Sequence, residues 1–180
     1  MFLLQMSGLP GAGKSTIARH VATTHRAIVV DYDILKSTLL DTGFDFPAST
    51  RAAYALMYAE ARHLLTQGHP VVMDSPCFWP QILTTGQQIA ATHNVPYKYI
   101  ECHLTDLDLP DERLRTRPTL RSQRPSLTQA PADAPNPPTD PQTFIRTSTN
   151  QTQRPTNPLH LNTRHPLPHL LPQVDAYLKP

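Results

Sequence analysis

Gly8-Leu9-Pro10-Gly11-Ala12-Gly13-Lys14-Ser15 decides how this chain is read, because it fits the spacing G-x-x-x-x-G-K-S/T and has the flanks that spacing requires. An apolar run, Phe2 to Met6, precedes it, and a helical pattern, Lys14 to Thr24, follows it. Glycines allow successive backbone N–H groups to turn inward as an anion nest, and the helix that follows adds its positive N-terminal end. Gly8, Gly11, Ala12 and Gly13 would form that cradle. Lys14 would reach the β and γ phosphates as a point charge, Ser15 would offer a hydroxyl to Mg²⁺, and Thr16 would support the α-phosphate side. The implied ligands are a nucleotide's phosphates and Mg²⁺.

Outward from the loop, the chain falls into two parts with different composition. Of 20 prolines among 180 residues, 14 lie at or beyond Pro110, whereas all 6 glycines lie at or before Gly86. The first part alternates short apolar runs (Phe2 to Met6, Ala27 to Asp31, Pro70 to Asp74, Tyr97 to His103) with helical patterns (Lys14 to Thr24, Asp33 to Asp41, Ser49 to Gln67, Pro80 to His93). That alternation predicts βα units and a parallel sheet, an α/β fold. Ser49 is expected to cap the third helix and Gly68 to close it. Pro110 to Arg117 reads as a further helix. Residues 118–158 are rich in Pro, Thr, Gln, Asn and Asp, which cannot bury enough surface to offset the entropy of ordering, so a mobile loop is expected there. Leu159 to Thr163 reads as a last strand and Leu170 to Leu178 as a last helix. The length suits one domain spanning 1–180.

Three further groups of residues bear on chemistry. Asp74 ends the apolar run Val71-Val72-Met73, the form of a carboxylate that holds a metal's water shell; the alternative is a turn or capping aspartate. Asp31 and Asp33 stand at the carboxyl end of the second strand pattern, where open α/β sheets bind ligands. Asp33, with Lys36 one helical turn on, is expected to orient an acceptor hydroxyl and take its proton late, with Asp31 nearby; the plainer reading makes Asp33 a helix N-cap and Lys36 a solvated charge. The third group, Arg113, Arg115, Arg117, Arg121 and Arg124, is the densest positive charge in the chain and could close over a triphosphate as a lid. On the acceptor side Arg51, Tyr54 and Tyr58 recur at helical spacing and Phe78-Trp79 follows Asp74, residues that line either a pocket or simply the core. His160, His165 and His169 have no carboxylate or cysteine beside them in sequence, which argues against a metal site.

With these residues in view, the chain resembles the small P-loop kinases of the adenylate-kinase-like and zeta-toxin-like group, including AAA-type ATP-binding proteins. The resemblance rests on GLPGAGKSTIA at 8–18, DYDILKSTLL at 31–40, GHPVVMDSP at 68–76, IEC at 100–102 and RLRTRPTLRSQR at 113–124. It implies a P-loop NTPase fold with five parallel strands flanked by helices, and transfer of the γ-phosphate of ATP to a hydroxyl. It also implies a base role for Asp33 and lid roles for Arg117 and Arg121. Arg154-Pro155 and the Leu161-Asn162-Thr163 strand end are further points of similarity. Asn162 stands where related sequences tend to carry Asp, and Lys36 stands where polynucleotide kinases of the group carry Arg, which loses a bidentate phosphate fork.

Composition restricts partners further. A net charge of +2 is mild for a nucleic-acid binder, so a small-molecule acceptor is favoured over a polynucleotide 5′-hydroxyl, and a regulatory ATP-binding module is a third reading. Two cysteines without C-x-x-C indicate neither a disulfide scaffold nor a thiolate zinc site. The amino end lacks a basic, then apolar, signal pattern and no run is long enough to span a membrane, so a cytoplasmic location is expected.

Overall fold

The computed structural model describes residues 1–104, 108–135 and 140–179. Among them five strands form one sheet in the order β2-β3-β1-β4-β5: β1 Leu3–Ser7, β2 Ile28–Asp31, β3 Val71–Asp74, β4 Tyr97–His103 and β5 Leu159–Asn162. Every pairing is parallel. Parallel strands need crossovers, and helices supply them: α1 Lys14–His25, α2 Tyr32–Asp41, α3 Phe46–Thr66, α4 Pro80–Thr92, α5 Asp108–Thr116 and α6 Pro141–Gln151, with α7 Leu167–Leu178 following the last strand.

Helices on both faces bury the sheet twice, which is why all of β1 and β3 is buried and both read as nearly continuous apolar runs. The two-residue period of a strand sends alternate side chains to opposite layers. Leu3, Val71, Met73 and Tyr99 join Ala53, Met57, Ala61 and Leu65 of α3 and Ile82 and Ile89 of α4. Leu4, Met6, Val72, Ile100 and Leu161 join Ile17, Ala18 and Val21 of α1 and Leu170, Val174 and Leu178 of α7. The thiols of Cys77 and Cys102 are free and buried, one in each layer.

Several boundaries differ from the sequence reading for local reasons. Asp45 caps α3, accepting from the Ala48 N–H at 2.6 Å, and Pro47 occupies the first turn where its missing N–H costs nothing. Ser49 is instead a buried first-turn residue whose hydroxyl donates to the Phe46 carbonyl at 2.8 Å. Helix α5 ends at Thr116, so Arg117 and Arg121 do not continue the helical face of Arg113. The segment 118–158 contains regular structure its composition did not suggest: Asp140 accepts from the N–H groups of Gln142 and Thr143 and starts α6. Residues 136–139 of that segment lie outside the described residues. Helix α7 begins at Leu167, three residues early, because Pro168 suits a first turn, and it carries Pro172 inside.

No helix among the described residues is long and apolar enough to cross a membrane.

Candidate active site

The loop between β1 and α1 is held by close backbone approach. Gly8 has φ +129°, and a Cβ there would collide with the Cys102 carbonyl of β4; Gly11 has φ +77°, and a Cβ would come within 2.5 Å of the Pro110 carbonyl. These two glycines therefore seat the loop between β4 and α5, while Gly13, also left-handed at φ +88°, is the N-cap of α1. The Lys14 ammonium folds back over the loop, donating to the carbonyls of Gly8 at 3.0 Å and Leu9 at 3.1 Å.

Asp31 and Asp74 are register partners at the carboxyl ends of β2 and β3, so parallel pairing alone sets two carboxylates side by side next to the loop. Asp31 caps α2, its Oδ1 accepting from the Asp33 N–H at 2.8 Å and the Ile34 N–H at 3.3 Å. Capping thus falls to Asp31, and Asp33 is left free of the role the plainer reading gave it. Burial, then the charges of Asp74 and Asp33, push the Asp31 carboxyl up to about 6. Burial also raises Asp74, opposed by the Lys14 charge and a hydrogen bond from Ser15.

The Asp33 carboxylate faces the residues after α5: Ser122 Oγ donates to Oδ1 at 3.1 Å and Gln123 Nε2 to Oδ2 at 2.9 Å. Ser122 is itself tied to Ser37 of α2 by two hydrogen bonds of 3.0 Å. Lys36, one turn on, is buried, with its ammonium 3.3 Å from the centroid of the Phe46 ring. Burial lowers its pKa to about 8, against an upward pull from Asp33. Lys36 is therefore far from a solvated charge.

These groups share one cavity of about 1230 Å³, which runs from Gly11, Gly13, Lys14, Ser15 and Thr16 to Asp31, Asp33, Lys36, Tyr54 and Asp74. Arg113, Arg117 and Arg124 also line it, as do Phe78 and Trp79, with Thr163, Arg164 and His165 after β5. Arg113 bridges the loop and the β5 end, donating to the Gly11 carbonyl at 3.4 Å and the Thr163 carbonyl at 3.0 Å. Tyr54 packs its ring 4.3 Å from Tyr32 and 5.9 Å from Trp79.

Arg51, Tyr58, Arg115 and Arg121 from the sequence reading lie outside that lining, as do Gly8 and Ala12. Arg51 is exposed on α3 outside the lining. Arg121 is also outside it: its guanidinium grips both Asp133 oxygens, at 2.8 and 3.0 Å, and reaches the Leu40 carbonyl and Asp41. Gly8 and Ala12 line a separate cavity of about 270 Å³ behind the loop, with Glu101, His103, Arg154 and His160. Glu101 is buried there and held by Arg154 at 2.6 and 2.7 Å and by His160 at 3.2 Å.

A family model described as an AAA domain, AAA_33, matches residues 3–134. The chain belongs to the AAA_33 family. Over 128 residues it is 32% identical to uncharacterized proteins of Mycobacterium tuberculosis (strain ATCC 25618 / H37Rv) and Mycobacterium bovis, a match that takes in 64% of this chain and 25% of each relative. The chain thus spans about a quarter of the length of the curated relatives it matches. Among solved structures, a protein of Chloroflexus aurantiacus provisionally named a kinase superposes with a TM-score of 0.73 at 18% identity, covering 99% of this chain and 98% of that one. A gluconokinase from Sinorhizobium meliloti 1021 gives 0.62 at 14% identity, covering 98% and 91%. The Mycobacterium tuberculosis APS kinase CysC, in complex with AMPPNP and APS, gives 0.58 at 18% identity, covering 98% and 96%. At such identities the likeness is one of fold, and the fold is that of the P-loop kinases.

The AAA_33 match stops at residue 134, so α6, β5 and α7, which complete the cavity with Phe144, Thr163 and His165, lie beyond it. The sequence marked β5, α7 and the Leu161-Asn162-Thr163 strand end, but α6 and Phe144 over the cavity were not legible in it, nor were Ser122 and Gln123 on Asp33. No short-range spacing marks a side chain whose partner is about 90 residues away.

Proposed function

We propose that this AAA_33 domain is an ATP-dependent kinase that transfers the γ-phosphate to a hydroxyl of a small-molecule acceptor. The observation that carries this reading is the single cavity joining the nest before α1 to the carboxylates ending β2 and β3. A triphosphate tail at the nest would extend toward Asp33, giving the end-on approach that an in-line displacement requires.

Lys14 would exchange its two loop carbonyls for phosphate oxygens, and Arg113 and Arg117 would meet the charge that spreads over the transferred group. Mg²⁺ fits the donor set: the Ser15 hydroxyl and the Asp74 carboxylate line the same cavity beside the loop, so one residue could bind the ion and the other its water shell. When bound, the ion neutralises charge on the β and γ oxygens. Asp33 would orient the acceptor hydroxyl and take its proton as the new P–O bond forms and the bond to the β-phosphate oxygen breaks. Ser122 and Gln123 would have to yield one carboxylate oxygen for that contact. Thr163, Arg164 and His165, which line the same cavity, would face the nucleoside.

The test is a transfer assay with γ-labelled ATP and Mg²⁺ against a panel of hydroxyl compounds and 5′-hydroxyl oligonucleotides. A labelled small-molecule product that vanishes in Lys14→Ala is expected. Label on oligonucleotides alone, with the steep salt dependence of phosphate-backbone binding, would move the assignment to a polynucleotide acceptor. ATP hydrolysis unaffected by any acceptor would reduce the protein to a nucleotide-binding module.

A further inference from the structure

Arg124 is buried at 8% exposure, and no other arginine among the described residues is in the buried class. Burying a cation is costly unless an anion meets it, so buried arginines normally face acids. Other arginines of this chain do: Arg115 meets Asp111, Arg121 meets Asp133 and Asp41, and Arg154 meets Glu101. Arg124 has no carboxylate within 4.0 Å among the described residues. Its Nη2 donates to the Leu127 carbonyl at 2.9 Å, its guanidinium lies 4.0 Å over the Phe144 ring, and its Nε is buried with no partner. Burial also lowers its pKa.

This uncompensated guanidinium lines the large cavity, and it is held flat by Phe144, which limits the rotamer freedom an incoming ligand would otherwise have to remove. Its position along the chain matters as much as its charge. Ser122 and Gln123 hold the Asp33 carboxylate, and Arg124 is the next residue, so one short stretch carries both the contact to the proposed base and the free cation. The triphosphate end has its own cations in Lys14 and Arg113, at the loop.

We propose that Arg124 is a binding residue for the acceptor and that the acceptor is an alcohol bearing an oxyanion, a carboxylate, sulfate or phosphate, seated against the Arg124 guanidinium while its hydroxyl meets Asp33. The inference rests on the kinase reading above and assigns the substrate class of the same cavity.

The test occupies the nucleotide site first. Protein saturated with AMPPNP and Mg²⁺ is titrated with sodium sulfate and, separately, sodium acetate at constant ionic strength set with sodium chloride, by calorimetry. At least one oxyanion is expected to bind saturably, and Arg124→Gln to weaken it tenfold or more while AMPPNP affinity changes less than twofold. Arg124→Lys, which keeps the charge and loses the fork, is expected to fold and to show an intermediate affinity, which guards against a glutamine variant that fails to fold. Absence of saturable binding in the wild type, equal binding in both variants, or a loss of AMPPNP affinity matching the oxyanion loss would overturn the proposal, the last by making Arg124 a nucleotide ligand. Failure of AMPPNP to bind, or binding untouched by Lys14→Ala, would instead defeat the kinase reading, and the same titration of nucleotide-free protein would then decide Arg124 alone.

Discussion

Two charge clusters flank the phosphate-binding loop at the carboxyl edge of the sheet, and they are built on opposite principles. Behind the loop, Glu101 of β4 is buried and saturated, with Arg154 on both oxygens and His160 on one. In front, Lys14, Arg113, Arg117 and Arg124 share a large cavity with Asp31, Asp33 and Asp74, yet none of the three arginines has a carboxylate partner among the described residues. Charges that complete one another hold the β4 and β5 ends in place. Charges kept apart over a cavity remain available to a ligand that carries the missing counter-charge, and the protein bears their desolvation cost until it arrives.

The contrast breaks most severely at Lys14. Lys14→Ala removes the point charge meant for the β and γ phosphates, and transfer from labelled ATP is expected to fall by about 10²- to 10³-fold, the scale of losing one positioned transition-state donor. The fold should survive the change, because the side-chain hydrogen bonds of Lys14 go to loop carbonyls, while buried Asp74 loses a compensating charge and the melting temperature drops modestly. Asp33→Asn comes next: nucleotide affinity is retained and transfer drops about 100-fold, as for a positioned base. Equal activity in that variant would leave Asp33 as a tether for Ser122 and Gln123.

A third change acts on the other cluster and sharpens the comparison. Arg154→Ala leaves Glu101 buried beside a half-exposed histidine, and removing one partner of such a pair costs about 3 kcal/mol. For a chain of this size that lowers the melting temperature by on the order of 10 °C, read by calorimetry. AMPPNP affinity of the folded protein should be unchanged. The matching variant in front, Arg117→Ala, should leave the melting temperature of the nucleotide-free protein nearly unmoved and weaken AMPPNP binding instead, since among the described residues the Arg117 side chain makes no hydrogen bond and its Nε is buried without a partner.

The same division explains what could be read from sequence. Strand and helix order followed from runs such as Val71-Val72-Met73-Asp74 and from the loop at Gly8, because apolar burial on both sheet faces and a glycine-lined turn are local in sequence. Asp31 as the cap of α2, against Asp33, turned on which carboxylate the backbone angles favour, and one residue separates the two outcomes. Arg121 and Arg124 look alike in a basic run. Their fates differ because Asp133 and Asp41 lie within reach of one and Phe144 of α6 covers the other, distinctions that exist only once the chain has closed. His160 reads as isolated until parallel register sets it opposite Glu101. Composition likewise gave no hint of α6, which starts from a single Asp140 cap.

The smallest expected effect is a pH dependence from the two titratable groups that burial shifts most legibly in the cavity. Asp31 is raised from 3.8 to about 6, so between those values the folded state holds a proton the unfolded chain has released, and stability falls as pH rises through that window. Lys36 is lowered from 10.5 to about 8, so between those values the unfolded chain holds the extra proton, and stability rises with pH there. Denaturant melts from pH 4 to 9 should therefore show a falling limb, a flat region near neutrality and the onset of a rising Lys36 limb above pH 8, which the buried thiols of Cys77 and Cys102, pushed up to about 12, oppose from about pH 9 upward. Asp31→Asn keeps a capping oxygen for the N–H groups of Asp33 and Ile34 and should shrink the lower limb to the part that buried Asp74 contributes; Lys36→Met should remove the upper. Both penalties come first from desolvation, so saturating AMPPNP and Mg²⁺, a complex of net negative charge that replaces cavity water, should push the Asp31 limb toward higher pH. A limb that ignores the nucleotide would mean that Asp31 is buried for the sake of the α2 cap and has no part in the ligand site.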